Sequence, residues 1–116
     1  MSEREVALLL EDILEASQKI LSYTSGMTFD DFRKDDKTID AVVRNFEIVG
    51  EAANRIPEKV KTDYKNIEWR RLTGFRNRII HEYFGIDYAM VWKIKEENIP
   101  ELIVFIKKLI NDYSLH

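Results

Sequence analysis

Cysteine is absent from the 116 residues, and glycine (4) and proline (2) are scarce. The first absence rules out a disulfide framework, a thiolate nucleophile and a zinc–thiolate site, and suits a reducing cytoplasm. The second disfavours turn-rich β structure and points to long regular elements. Long hydrophobic runs are also missing: Val6–Leu10 and Leu102–Ile106 reach only five residues each. Neither is long enough for a membrane span or a secretory core, so the expectation is a soluble, cytoplasmic protein. Histidine occurs only at 81 and 116, with no HExxH pair and no evident cluster of three metal ligands. A transition-metal enzyme is therefore disfavoured, and no cofactor is expected. Gly-x-Ser-x-Gly elbows and phosphate-cradling glycine loops are lacking too.

What is present is a globular balance of 45% hydrophobic and 34% charged residues in a chain of one-domain length, so residues 1–116 are read as a single domain. The net charge of -3 conceals an uneven distribution. Residues 1–54 hold 6 basic and 12 acidic side chains, residues 55–81 hold 8 basic and 3 acidic, and residues 82–116 hold 4 and 6. A cationic middle segment, +5 from 8 minus 3, thus lies inside an acidic protein. It is either a solvated helix face or the footprint of a phosphate-rich partner.

The order of elements follows from periodicity and caps. Ser2 and Glu5 form a capping pattern before Val6, Leu9, Leu10, Ile13, Leu14, Ile20 and Leu21, whose spacing predicts a first helix to about Tyr23, ended by Gly26. Thr28–Asp31 repeats the cap before Phe29 and Phe32. Asp30, Asp31, Asp35 and Asp36 lack the alternation, glycine and glutamate of a calcium loop and read as caps. A second long helix is predicted from about Thr38 to Arg55, with Gly50, Ala52 and Ala53 marking a close approach by another helix or a ligand. A short turn of helix at Lys59–Tyr64 follows, then a third helix from Ile67 to about Tyr83, with Asn66 as its cap and Gly85 as its terminator. Asp87 caps a short segment with Tyr88, Met90, Val91 and Trp92. Asn98 and Pro100 open a last helix whose adjacent apolar residues Leu102–Ile106 cover more than one stripe. The fold class is therefore all-α, a bundle of four or five helices, and a homodimer using the last helix or the Gly50 region is expected.

Candidate chemistry converges on Gly74–Gly85, which sets His81 among Arg76, Arg78 and Tyr83. An imidazole takes a proton from one oxygen and returns it to another, while a guanidinium fork holds a phosphate. RNA cleavage requires those functions and supplies its own 2′-hydroxyl nucleophile. On a regular helix, however, Arg76 and Tyr83 share a face and His81 lies about 140° around from Arg76. Either the helix loosens towards Gly85, or two copies meet about a two-fold axis in a composite site.

The segment Arg76-Asn77-Arg78-Ile79-Ile80-His81-Glu82-Tyr83 resembles the Arg-x4-6-His signature of HEPN ribonuclease domains, in the Arg-x4-His-x-Tyr form of HepT-type toxins. Val49-Gly50-Glu51-Ala52 and Phe84-Gly85-Ile86-Asp87 with Val91-Trp92 resemble flanking segments of that family, and the likeness spans almost the whole chain. It implies an HEPN-like, homodimeric, metal-independent endoribonuclease toxin of a type II/VII-like toxin–antitoxin pair, cutting tRNA or mRNA at the dimer cleft. It also implies an antitoxin partner, an MNT-type nucleotidyltransferase that transfers AMP onto the motif tyrosine. By the same resemblance Arg76 and His81 are catalytic, Asn77 is a supporting polar group, and Tyr83 is the AMP acceptor. Lys65, Arg70, Arg71 and Arg78 are our candidates for an RNA entry track, from the cationic segment alone. The competing reading is a non-catalytic module that presents a substrate to a small nucleotidyltransferase or scaffolds it.

Overall fold

The structure, a computed structural model, describes residues 1–114. Its helices are α1 (Glu3–Thr24), α2 (Phe29–Arg33), α3 (Asp36–Arg55), α4 (Glu58–Asp63), α5 (Trp69–Thr73), α6 (Phe75–Ile79), α7 (Tyr88–Glu97) and α8 (Ile99–Ser114). Between α6 and α7 lies a minimal hairpin of β1 (Ile80–His81) and β2 (Gly85–Ile86). The fold is all-α, with four longer helices joined by short helical segments. Among the described residues no helix is long and apolar enough to cross a membrane.

Helix α1 exists because its apolar residues recur every three or four positions: Val6, Leu9, Leu10, Ile13 and Ile20 are buried, while Leu14 and Leu21 are half-buried. The Ser2 hydroxyl accepts from the Glu5 backbone N–H at 3.1 Å, and Gly26 turns the chain at φ 76°. Thr28 and Asp31 form a reciprocal capping box on α2, and the Asp35 carboxylate accepts from the Thr38 N–H at 3.1 Å to start α3 two residues before the predicted position. The aspartate cluster is thus used for caps.

Helix α3 is the hub, touching α1 on one side and α5 and α6 on another; α1 also packs on α8, and α7 on α8, α6 and α2. Phe46 of α3 meets Phe75 of α6 edge to face, ring centroids 5.4 Å apart, and both rings are fully buried. Gly50 is where α5 comes closest. A Cβ there would lie 3.2 Å from the Leu72 carbonyl oxygen, so the expected close approach is by a helix of the same chain. A second aromatic cluster fixes α7, with Trp92 against Phe29 and Phe32 at 6.0 and 5.3 Å and the Lys95 ammonium 3.4 Å above the Trp92 ring. In α8, Leu102 and Ile106 are buried, Ile103 and Phe105 half-buried, and Val104 exposed.

Two expectations are corrected. The single third helix is two short ones with Gly74 between them, and the chain leaves helical geometry after Ile79 instead of continuing to Tyr83. Asn66 is not the cap either: Glu68 precedes α5, with no side-chain cap, and the Trp69 indole N–H instead pins the loop to the Tyr64 carbonyl at 3.1 Å.

Candidate active site

The motif begins on α6, fastened to the core by Phe75 and Ile79, four residues apart on one face. The opposite face carries Arg76 and Asn77, both exposed, and neither makes a side-chain hydrogen bond or ion pair among the described residues. A guanidinium left free in this way is available to an external anion. Arg78 is half-buried, its Nη2 lying 3.4 Å from the Met90 sulfur of α7. Its place is consequently against α7, more confined than a solvent-facing track residue would be.

Helix α6 stops because Ile79 and Ile80 are consecutive β-branched residues followed by His, Tyr and Phe, a composition better suited to extended backbone. Ile80 is extended at φ -114° and ψ 119°. It pairs with Ile86 across the hairpin, and both pack on the core, so His81 alternates outward opposite Gly85. The reversal is closed by the Phe84 N–H donating to the His81 carbonyl at 3.2 Å and by Gly85 at φ 74°, a left-handed conformation natural to glycine. Gly85 therefore serves a hairpin, not a helix end.

Tyr83 and Phe84 stand at the tip, 88% and 89% exposed. Below them, the His81 Nε2 lies 3.5 Å from the Asp87 Oδ2. Asp87 is held from two directions. Its other carboxylate oxygen accepts from the Met90 N–H at 3.0 Å, capping α7, and its backbone N–H donates to the Ile79 carbonyl at 2.7 Å. The imidazole is thus referenced to the end of α6 and the start of α7 together. Residue 87 was legible in sequence only as a cap; the turn glycine four residues after His81 was the one sign that the chain doubles back.

Of the track candidates, Lys65 and Arg70 are exposed without a side-chain partner among the described residues. Arg71 is engaged with Glu68 at 3.0 Å. Arg71 also lines a small recess with Asn98, Glu101 and Phe105. The larger open groove, about 310 Å³ between α1 and α3, is lined by Leu9, Asp12, Ile48, Glu51, Ala52, Asn54 and Arg55 and contains no motif residue. No group of three or more His, Cys, Asp or Glu side chains converges on a metal position among the described residues.

The motif thus sets an exposed arginine on α6 and, past the end of that helix, an exposed imidazole with a carboxylate 3.5 Å from its Nε2. A family model described as "Ribonuclease HepT-like" matches residues 13–109. The chain belongs to the HepT-like ribonuclease family. Within that family it is 39% identical over 112 residues to a Methanocaldococcus jannaschii protein named "Putative RNase MJ0127", covering 97% of this chain and 93% of that one. It is 44% identical over 93 residues to the "Probable ribonuclease HepT" of Thermococcus cleftensis, covering 80% and 84%. No solved structure matches the chain at a significant level.

Proposed function

We propose that this HepT-like chain is an endoribonuclease that cleaves RNA without a metal ion, by acid–base chemistry at His81 on a phosphate held by Arg76. The observation that carries the reading is the departure of His81 from helical geometry. On a continuous helix the imidazole would diverge from Arg76; on the hairpin it stands in solvent beside a carboxylate, while Arg76 is exposed on α6 with no side-chain partner among the described residues. Cleavage proceeds by attack of the RNA 2′-oxygen on phosphorus and expulsion of the 5′-oxygen. One group removes the 2′ proton and another protonates the leaving oxygen. Each chain offers one motif imidazole, so two copies supply both roles in a composite site of the homodimer. Asn77 assists at the phosphate, Arg78 supports the site from its place against α7, and Lys65, Arg70 and Arg71 guide the RNA backbone.

Control falls to Tyr83. An exposed phenol at a hairpin tip is open to a second enzyme, here an MNT-type nucleotidyltransferase antitoxin. AMP on that oxygen adds bulk and a phosphodiester charge two residues from His81, repelling RNA phosphate. The protein is thereby the toxin of a cytoplasmic toxin–antitoxin pair.

The test is incubation of the purified chain with tRNA and mRNA in EDTA. Wild type cleaves, while His81→Ala and Arg76→Ala each lose about 10²–10⁴-fold in rate. Equal persistence of RNA with all three proteins would replace the reading with a non-catalytic module serving a nucleotidyltransferase. For the control arm, intact mass after treatment with the partner and ATP gains one adenylate in wild type and none in Tyr83→Phe.

A further inference from the structure

We propose that Asp87 is the positioning residue for His81: it holds the imidazole with the proton on Nε2 and leaves Nδ1 as the atom that exchanges protons with substrate. The role of Nδ1 rests on the ribonuclease reading above; the hold on the ring does not. Three observations combine. Asp87 Oδ2 is the carboxylate oxygen facing the ring, 3.5 Å from Nε2. Oδ1 is already committed to the Met90 N–H, so the carboxylate has one side for the helix and one for the histidine. The Asp87 N–H is bonded to Ile79 at 2.7 Å, which fixes the carboxylate relative to the helix that carries Arg76. A neutral imidazole has one donor and one acceptor nitrogen, and an ionised carboxylate is an acceptor only. A hydrogen bond closed across this contact makes the nitrogen facing Asp87 the donor and leaves the other with its lone pair. Contacts of this kind are commonly long before substrate arrives and shorten when water leaves the site.

The pair also predicts an unusual consequence of a nearly isosteric change. In Asp87→Asn the single side-chain carbonyl oxygen is retained by the Met90 N–H, and the amide NH₂ is turned towards His81. An amide donor requires an acceptor, so the histidine is driven to the opposite tautomer with its proton on Nδ1. In Asp87→Ser the hydroxyl still caps α7 but does not reach the ring, leaving the tautomer free.

The experiment records long-range proton–nitrogen spectra of the imidazole at a pH where it is neutral, with the His81 signals assigned by their loss in His81→Ala, beside RNA cleavage and thermal melting of the same samples. The expected result is an Nε2–H ring in wild type, an Nδ1–H ring in Asp87→Asn, and a mixture in Asp87→Ser. Cleavage falls at least about 100-fold in the Asn variant and about 10-fold in the Ser variant, as expected for a wrong tautomer and for lost orientation. Wild-type rings carrying the proton on Nδ1 would overturn the proposal, as would an Asn variant that keeps the wild-type tautomer or cleaves within about twofold of wild type. If wild type cuts no RNA while the tautomer reverses in Asp87→Asn, the ribonuclease reading fails and the hold of Asp87 on His81 stands. Should the Asn variant fail to fold, the Ser variant decides: a pure Nε2–H ring in it overturns the proposal, and a mixture supports it.

Discussion

The helix bearing Arg76 is only five residues long, too short to be stable alone, so its position depends on its two buried residues, Phe75 and Ile79, of which the ring is the larger. Phe75 is completely buried and meets Phe46 edge to face at 5.4 Å. Truncating such a side chain costs about 3–5 kcal/mol from lost transfer energy and the cavity left behind. Part of that, about 0.5–1.5 kcal/mol, belongs to the ring pair. For a domain of this size total stability is about 6–17 kcal/mol, so Phe75→Ala leaves a folded but much weakened protein. With a urea slope of about 2 kcal/mol per molar, the midpoint drops by about 2 M, followed by the fluorescence of Trp69 and Trp92. Phe46→Leu, Phe75→Leu and the double variant then close a cycle whose coupling should be about 1 kcal/mol. A cost below about 1.5 kcal/mol for Phe75→Ala, or a coupling of zero, would refute the claim that this contact sets α6.

Gly85→Ala and Gly26→Ala form a matched pair: both residues have positive φ, at 74° and 76°, and a Cβ on either meets nothing within 4 Å. Each should lose about 1–2 kcal/mol by thermal melting, from backbone strain alone, while only the Gly85 variant changes RNA cleavage. Asp35 is held below its ordinary value of 3.8 by the hydrogen bond from the Thr38 N–H. Its folded form gives up the proton more readily than the unfolded one, so its contribution is complete above that value and disappears as pH falls through the lower folded value; acid titration of Asp35→Asn should lack this component. Arg70→Ala should reduce the slope of log RNA affinity against log salt by about 1, and Arg71→Ala by less, because Glu68 already meets the Arg71 charge.

Long amphipathic helices announce themselves, and the stripes of Val6–Ile20 and Ile39–Ala53 placed α1 and α3 to within about two residues, with Thr28 and Asp87 marking their starts of helix correctly. The hairpin was invisible for a reason of scale. Its strands have two residues each, below any period-two signal, and Leu72, Phe75 and Ile79 extended a helical pattern straight into it. Backbone closure by Gly85 and the contact of Ile80 and Ile86 with the core override that local pattern. The motif residues could be picked out by their chemistry, but the histidine–aspartate contact could not, since it exists only once the chain doubles back. Gly50 was the reverse case: a glycine unexplained inside a helix correctly signalled an approaching backbone, though the sequence could not say whose.

The hairpin separates what is fixed from what is free. The contacts that locate His81 lie below the turn, at Ile79, Ile80, Ile86 and Asp87, while residues 82–84 project into solvent, held among the described residues by the Phe84–His81 backbone bond. A tip of this kind tolerates exchange and insertion far better than its base. Its loop can therefore be rewritten by selection or by an engineer, acquiring a new recognition sequence, while the imidazole beneath keeps its position.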